Sequence, residues 1–101
     1  MDRKRKPAYD LEAFKAAFAS VERLAVTGTA LRSAAALGFG RAEIVATLQT
    51  MQRRHFYKSM TAHADPRLWQ DVYHVPSPVG MLYVKFTADA VTDSRRKPRG
   101  W

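Results

Sequence analysis

No cysteine occurs among the 101 residues, so the chain can form neither a disulfide framework nor a thiolate metal site. No apolar run approaches the roughly 20 residues needed to cross a bilayer. The charged N-terminus lacks the apolar stretch of an export signal, which makes a cytoplasmic protein without a membrane partner the default expectation. Glycine and proline are sparse, at five each, and no glycine-rich phosphate loop is present. Paired carboxylates in a catalytic arrangement are missing, as is a serine motif of the nucleophile-elbow kind. No internal repeat is visible. Acidic residues are the scarce charge, 9 against 17 Lys and Arg, for a net charge of +8.

That excess is unevenly placed. Arg3, Lys4, Arg5 and Lys6 stand at one end, and Arg95, Arg96, Lys97 and Arg99 at the other. Residues 7–94 carry the remaining 9 basic residues against 8 acidic ones, a balance of only +1. The pattern is a nearly neutral domain between two basic tails, which attract a polyanion, nucleic acid before an anionic membrane. A hydrophobic share of 47% and an aromatic share of 11% belong to a globular protein, and the length to one small domain over residues 1–101. Flexible ends are expected at residues 1–8 and 93–101.

Along the chain, helices come first. Asp10 is a good N-cap for a helix over residues 11–22, with Leu11, Phe14, Phe18 and Val21 as one buried stripe. Residues 23–26 suit a short strand. Thr27-Gly28-Thr29 then offers a turn and an N-cap for an alanine-rich helix over 30–37, ended by Gly38. A third helix is expected over 41–52, with Ile44, Val45, Leu48 and Met51 inward and Arg53-Arg54 closing it favourably for the helix dipole.

Three strands follow, over 55–62, 68–74 and 81–87. They are rich in aromatic and β-branched residues and separated by Asp65-Pro66 and by Pro76-Ser77-Pro78-Val79-Gly80. Short connections make them an antiparallel meander, so the fold class is α+β, with helices packed on one face of a mainly antiparallel sheet. Residues 88–101 lose apolar alternation and, with Pro98, argue against a regular final strand.

Strand alternation puts Phe56, Lys58 and Met60 on one side of the first strand, and Leu68, Gln70 and Val72 on one side of the second. Met81, Tyr83, Lys85 and Thr87 share a side of the third. A suitable register would gather Lys58, Gln70 and Tyr83. A lysine, an amide and a phenol suit a phosphodiester: the cation offsets charge on the phosphate, the amide orients, and the phenol donates or relays a proton. RNA brings its own nucleophile, the 2′-OH, so no metal is required. Against this stands the plainer reading of solvent-facing Lys58 and Lys85 and an ordinary strand tyrosine. His55, His63 and His74 fit no compact metal-ligand spacing, so no metal or cofactor is expected; His63 is the best placed to assist proton transfer. Trp69 and Tyr73 suit base stacking or, more commonly, the core.

The segments Phe56-Tyr57-Lys58-Ser59-Met60-Thr61, Trp69-Gln70-Asp71-Val72-Tyr73 and Gly80-Met81-Leu82-Tyr83-Val84-Lys85 resemble the MqsR family, the motility quorum-sensing regulator toxins of bacterial toxin–antitoxin pairs. The LRSAAALG stretch is also similar, and the resemblance covers about residues 8–87. It implies a RelE-like fold and a metal-independent mRNA interferase that cuts at a GCU-type sequence without the ribosome. Carried over by residue, the active-site lysine falls on Lys58, the glutamine on Gln70 and the tyrosine on Tyr83. The implied partners are mRNA and a cognate MqsA-like antitoxin, with DNA bound only through the antitoxin complex. Family members finish with an apolar strand and a Ser-Phe-Lys-Glu type ending whose lysine serves the active site. Residues 92–101, TDSRRKPRGW, are expected to carry no such strand. Either Arg95, Arg96 or Lys97 substitutes, or the sheet has lost a strand and the enzyme is weakened to a relative that binds antitoxin or RNA without cleaving. Lys85, Arg96 and Lys97 join His63 as accessory candidates.

Overall fold

Helix α1 (Leu11–Ala17) starts where the Asp10 carboxylate accepts from the Ala13 N–H at 3.0 Å, satisfying one of the orphan donors of the first turn. It is shorter than the periodicity predicts. The Lys15 carbonyl, which a continuing helix would give to residue 19, instead accepts from Gln49 Nε2, and the chain turns at Ser20. Val21 is consequently 37% exposed and Leu24 takes the buried position. The computed structural model describes residues 3–97.

Helix α2 (Gly28–Ala35) is capped by the Thr27 hydroxyl, which accepts from the Ala30 N–H. It starts and stops two residues earlier than the expected 30–37, and the chain leaves it through Gly38, whose φ of +79° suits a residue without Cβ. Helix α3 (Arg41–Thr50) buries Ile44, Val45 and Leu48. Arg53 and Arg54 do not close it; with His55 they form a separate 3₁₀ turn. The expected strand at 23–26 reduces to one parallel bridge between Val26 and Val91.

Five strands form one antiparallel sheet in chain order: β1 (Arg3–Lys4), β2 (Phe56–Thr61), β3 (Trp69–Ser77), β4 (Gly80–Phe86) and β5 (Val91–Arg96). The helices cover one face, where Phe14 stacks on Phe86 with ring centroids 3.8 Å apart and Phe86 lies on Tyr73. The α+β architecture expected from the sequence is present.

Both ends correct the sequence reading. The lead-in, expected to have little order, is held by Asp71, a fully buried carboxylate that accepts from the Ala8 and Tyr9 N–H groups at 2.9 and 3.0 Å. The Tyr9 hydroxyl donates to the Trp69 carbonyl at 2.7 Å. At the other end a regular β5 pairs with β4 through residue 96, so the sheet has not lost its last strand. Backbone pairing needs no apolar side chain, and α2 packs against β5 with the small residues Ala30 and Ala34 buried. A bulge at Thr92 further scrambles the alternation. The rest of the two ends expected to be flexible, residues 1–2 and 98–101 with Pro98 and Arg99, lies outside the described residues.

Candidate functional site

One departure from alternation builds the site. Phe56 opposes Tyr73 and Lys58 opposes Val72, so Tyr57 is the extra residue of a bulge. Phe56 turns inward, edge-on to Tyr73, whereas Tyr57 and Lys58 both reach the helix-free face. The reading that Phe56 and Lys58 share a side is thereby corrected; only Lys58 and Met60 do.

On that outer face the register sets side chains in rows. His74 of β3 lies opposite Tyr83 of β4, and Tyr83 opposite Arg95 of β5. Tyr57 stacks on His74 with centroids 4.3 Å apart and a 24° interplanar angle, and the His74 and Tyr83 rings are 6.2 Å apart. The Arg95 guanidinium covers the Tyr83 ring at 4.9 Å. The next row is Lys58, Val72, Lys85 and Asp93. A cleft of about 460 Å³ opens over the first row, lined by Tyr57, Lys58, His74, Tyr83 and Lys97.

The sequence-derived candidates divide accordingly. Lys58 and Tyr83 meet on the cleft. Gln70 shares their face but sits one row beyond Lys58, four residues and about 13 Å along β3 from His74. Its Oε1 accepts from the Thr92 hydroxyl at 2.8 Å, which also lies 3.2 Å from the Lys85 carbonyl. Gln70 thus clasps the β5 bulge across β4 and does not line the cleft. Lys97 does line it, anchored by its N–H to the Met81 carbonyl at 2.7 Å. Arg96 lines a neighbouring cleft, and Lys85 stands in the second row. His63 is exposed in the β2–β3 connection, at the far end of β2 from Tyr57. The histidine on the cleft is His74, which corrects the preference for His63. Tyr73 is fully buried and Trp69 lies beneath the Lys4 ammonium, so neither is an open stacking platform.

Tyr57 is the site residue the sequence reading misses, and His74 the one it ranks below His63. The signal for His74 was its position two and four residues beyond Val72 and Gln70 on the same strand face. The signal for Tyr57 was hidden, because strict alternation turns it inward.

The electrostatics separate an acid from a base. Burial lowers the His74 pKa, and the Lys97 and Lys58 cations lower it further, so the imidazole is neutral near pH 7. Burial raises the Tyr83 pKa, while Arg95 pulls it back, so the phenol keeps its proton. A neutral imidazole, a protonated phenol and two ammonium groups around one cleft suit proton transfer at an anionic centre. Among the described residues no three His, Asp or Glu side chains gather as a cation site, and no helix is long and apolar enough to cross a membrane.

Comparison with known proteins adds to this geometry. The profile of the family described as "Motility quorum-sensing regulator, toxin of MqsA" matches residues 6–94. Over 61 residues the chain is 36% identical to the mRNA interferase toxin MqsR of Escherichia coli K12, a match covering 60% of this chain and 62% of that protein.

Proposed function

The chain belongs to the motility quorum-sensing regulator toxin family, and on that premise we propose that it is an mRNA endoribonuclease, the toxin of a toxin–antitoxin pair. A cognate MqsA-like antitoxin neutralises it, any contact with DNA is through that complex, and it acts in the cytoplasm, independently of the ribosome, at GCU-type sites. The observation that carries this reading is the direct opposition of His74 and Tyr83 on a cleft flanked by Lys58 and Lys97.

In the proposed reaction the RNA 2′-oxygen attacks the adjacent phosphorus as His74 takes its proton. The O2′–P bond forms, the P–O5′ bond breaks, and Tyr83 supplies a proton to the departing 5′-oxygen. The products are a 2′,3′-cyclic phosphate and a 5′-OH, and no metal takes part. Lys58 and Lys97 hold the charge that develops on the phosphoryl oxygens. Gln70 is a positioning residue, keeping β5 in register through Thr92 so that Arg95 and Lys97 face the cleft. The presence of β5, with Lys97 on the cleft, favours a cleaving enzyme over a relative that only binds.

The test is a 5′-labelled RNA containing one GCU, incubated in EDTA with the intact chain or with Lys58→Ala. A cut at that site by the intact chain alone is expected, and loss of cleavage in Tyr83→Phe with its fold retained. No cut by folded intact protein would remove the reading.

A further inference from the structure

The catalytic cleft is the middle of three. A second, of about 660 Å³, is lined by Lys4, Arg5, Arg53, Phe56, Tyr57 and Lys58, and shares the last two with the catalytic cleft. A third, of about 830 Å³, lies between the end of α2 and the β4–β5 end, lined in part by Ser33, Ala36, Leu37, Arg95, Arg96 and Lys97, and shares Lys97 with it. Through those shared residues the three run on as one furrow: the second cleft turns round the β2 edge, where Phe56 points inward, and the third passes to the α2 side of the β4–β5 end. Cations line each part of it, and among the described residues no Asp or Glu lines any of the three. Lys4 and Arg5 from one basic end of the sequence, and Arg96 and Lys97 from the other, thus lie at opposite ends of one surface feature.

How these cations are held is informative. The Lys4 ammonium sits 4.4 Å above the Trp69 ring, Arg53 4.8 Å above Phe56, Lys58 5.2 Å above Tyr57 and Arg95 4.9 Å above Tyr83. Away from the furrow, Lys15 and Arg67 are instead paired with Glu12 and Asp65; in it, among the described residues, only Arg95 shares its charge with a carboxylate, Asp93 at 3.4 Å. An aromatic face orients a cation without neutralising it or consuming its N–H donors. Tyr57, 45% exposed, stands where the second and catalytic clefts join. Although His74 stacks on it and Lys58 lies over it, Tyr57 keeps much of its edge exposed, and cations in line with an exposed aromatic ring match the backbone and bases of a single strand.

We propose that this furrow is a single-stranded RNA track extending beyond the catalytic cleft on both sides. Lys4, Arg5 and Arg53 hold phosphates on one flank of the cut, Arg96 and Lys97 hold the other flank, and Tyr57 stacks on a base at the junction. The position of the cut rests on the ribonuclease reading; the track does not.

The test measures binding of a short 2′-O-methyl oligoribonucleotide, which has no free 2′-OH to attack, as salt is raised. Each lost phosphate contact on a single strand flattens the log–log salt slope by about 0.7. The double variant Arg5→Gln/Arg53→Gln is expected to flatten it by about 1.4, and Arg67→Gln to leave it unchanged. With cleavable RNA, the double variant raises KM and leaves kcat nearly intact. An unaltered slope in the double variant, an equal loss in Arg67→Gln, or tighter binding of the corresponding duplex would overturn the track. If the intact chain binds in the expected pattern but cuts nothing, the ribonuclease reading falls and the track stands. If it cuts normally while the double variant binds like the intact chain, the track alone falls.

Discussion

On its helix-covered face the sheet presents Tyr73, Val75, Leu82, Val84 and Phe86, all at most 1% exposed. One residue along the same strands, the other face presents His74, Tyr83, Lys85 and Lys58. The same backbone ladders therefore carry a hydrocarbon interior on one side and an acid, a base and cations on the other. What separates the two chemistries is a single step of register, because each step moves a side chain across the sheet. The outer face is not simply wet. Val72 is fully buried there and Tyr83 is only 5% exposed, so its polar groups act in a partly desolvated setting.

Adjacent residues of β4 expose the contrast most sharply. Leu82→Ala removes a fully buried side chain from the inner face and is expected to cost about 2–5 kcal/mol of stability. Tyr83→Phe, one position on, deletes only a hydroxyl at the cleft and should change stability by about 1 kcal/mol or less. Its cost falls on cleavage, a loss of about 10²–10⁴-fold if the phenol transfers a proton. Chemical denaturation and single-turnover cleavage of both variants separate the effects. Equal destabilisation with equal loss of cleavage would show that the two faces do not divide stability from chemistry.

His74 sharpens the comparison through pH. The groups facing it are Tyr57 and Lys58 from β2, Tyr83 from β4 and Lys97 beyond β5. Burial and the two cations hold its pKa below the ordinary histidine value of 6.5, so the proposed base is unprotonated above that pH. Cleavage is expected to rise with pH to a plateau already reached by neutrality. In His74→Gln the acid limb disappears and the rate falls by about 10²-fold or more. Lys97→Gln should move the midpoint back up toward 6.5. An unchanged acid limb in His74→Gln would remove the imidazole from the reaction. The stability sign follows from the same shift. The unfolded chain binds this proton more readily, so the group weakens the fold as pH drops below 6.5 and has no effect well above it.

Much of this was legible beforehand. The N-cap Asp10, a helix start within Thr27-Gly28-Thr29, the glycine at Gly38, the three central strands and the α+β class follow from local chemistry. Lys58, Gln70 and Tyr83 stand out as candidates in the same way, but whether they meet waits on the register. What escaped depended on pairing. The bulge at Tyr57 reverses Phe56 and hides Tyr57, and nothing in FYKSM marks it. β5 has no hydrophobic period because it is tied by backbone to β4 and lies beside the alanine-rich α2. Asp71 looks like an ordinary strand acid until the lead-in folds back onto it. His63 and His74 have equal standing in composition; only the strand end and the register separate them.

The smallest expected effect probes a polar flaw on the inner face. The Tyr73 hydroxyl is buried and has no hydrogen-bond partner among the described residues. Burial and the nearby Asp71 carboxylate push its pKa up to about 12, so it stays neutral across the working range. A buried hydroxyl without a partner forfeits its hydration and receives little in return. Tyr73→Phe keeps the ring that stacks on Phe86 and meets Phe56 edge-on, while discarding that cost. The variant is therefore expected to be as stable as the parent or more stable, by up to about 1 kcal/mol, with cleavage untouched. Thermal unfolding beside the cleavage assay reads both. A clear loss of stability would mean that the hydroxyl is satisfied in solution, and a loss of cleavage with stability intact would mean that the two faces communicate through β3.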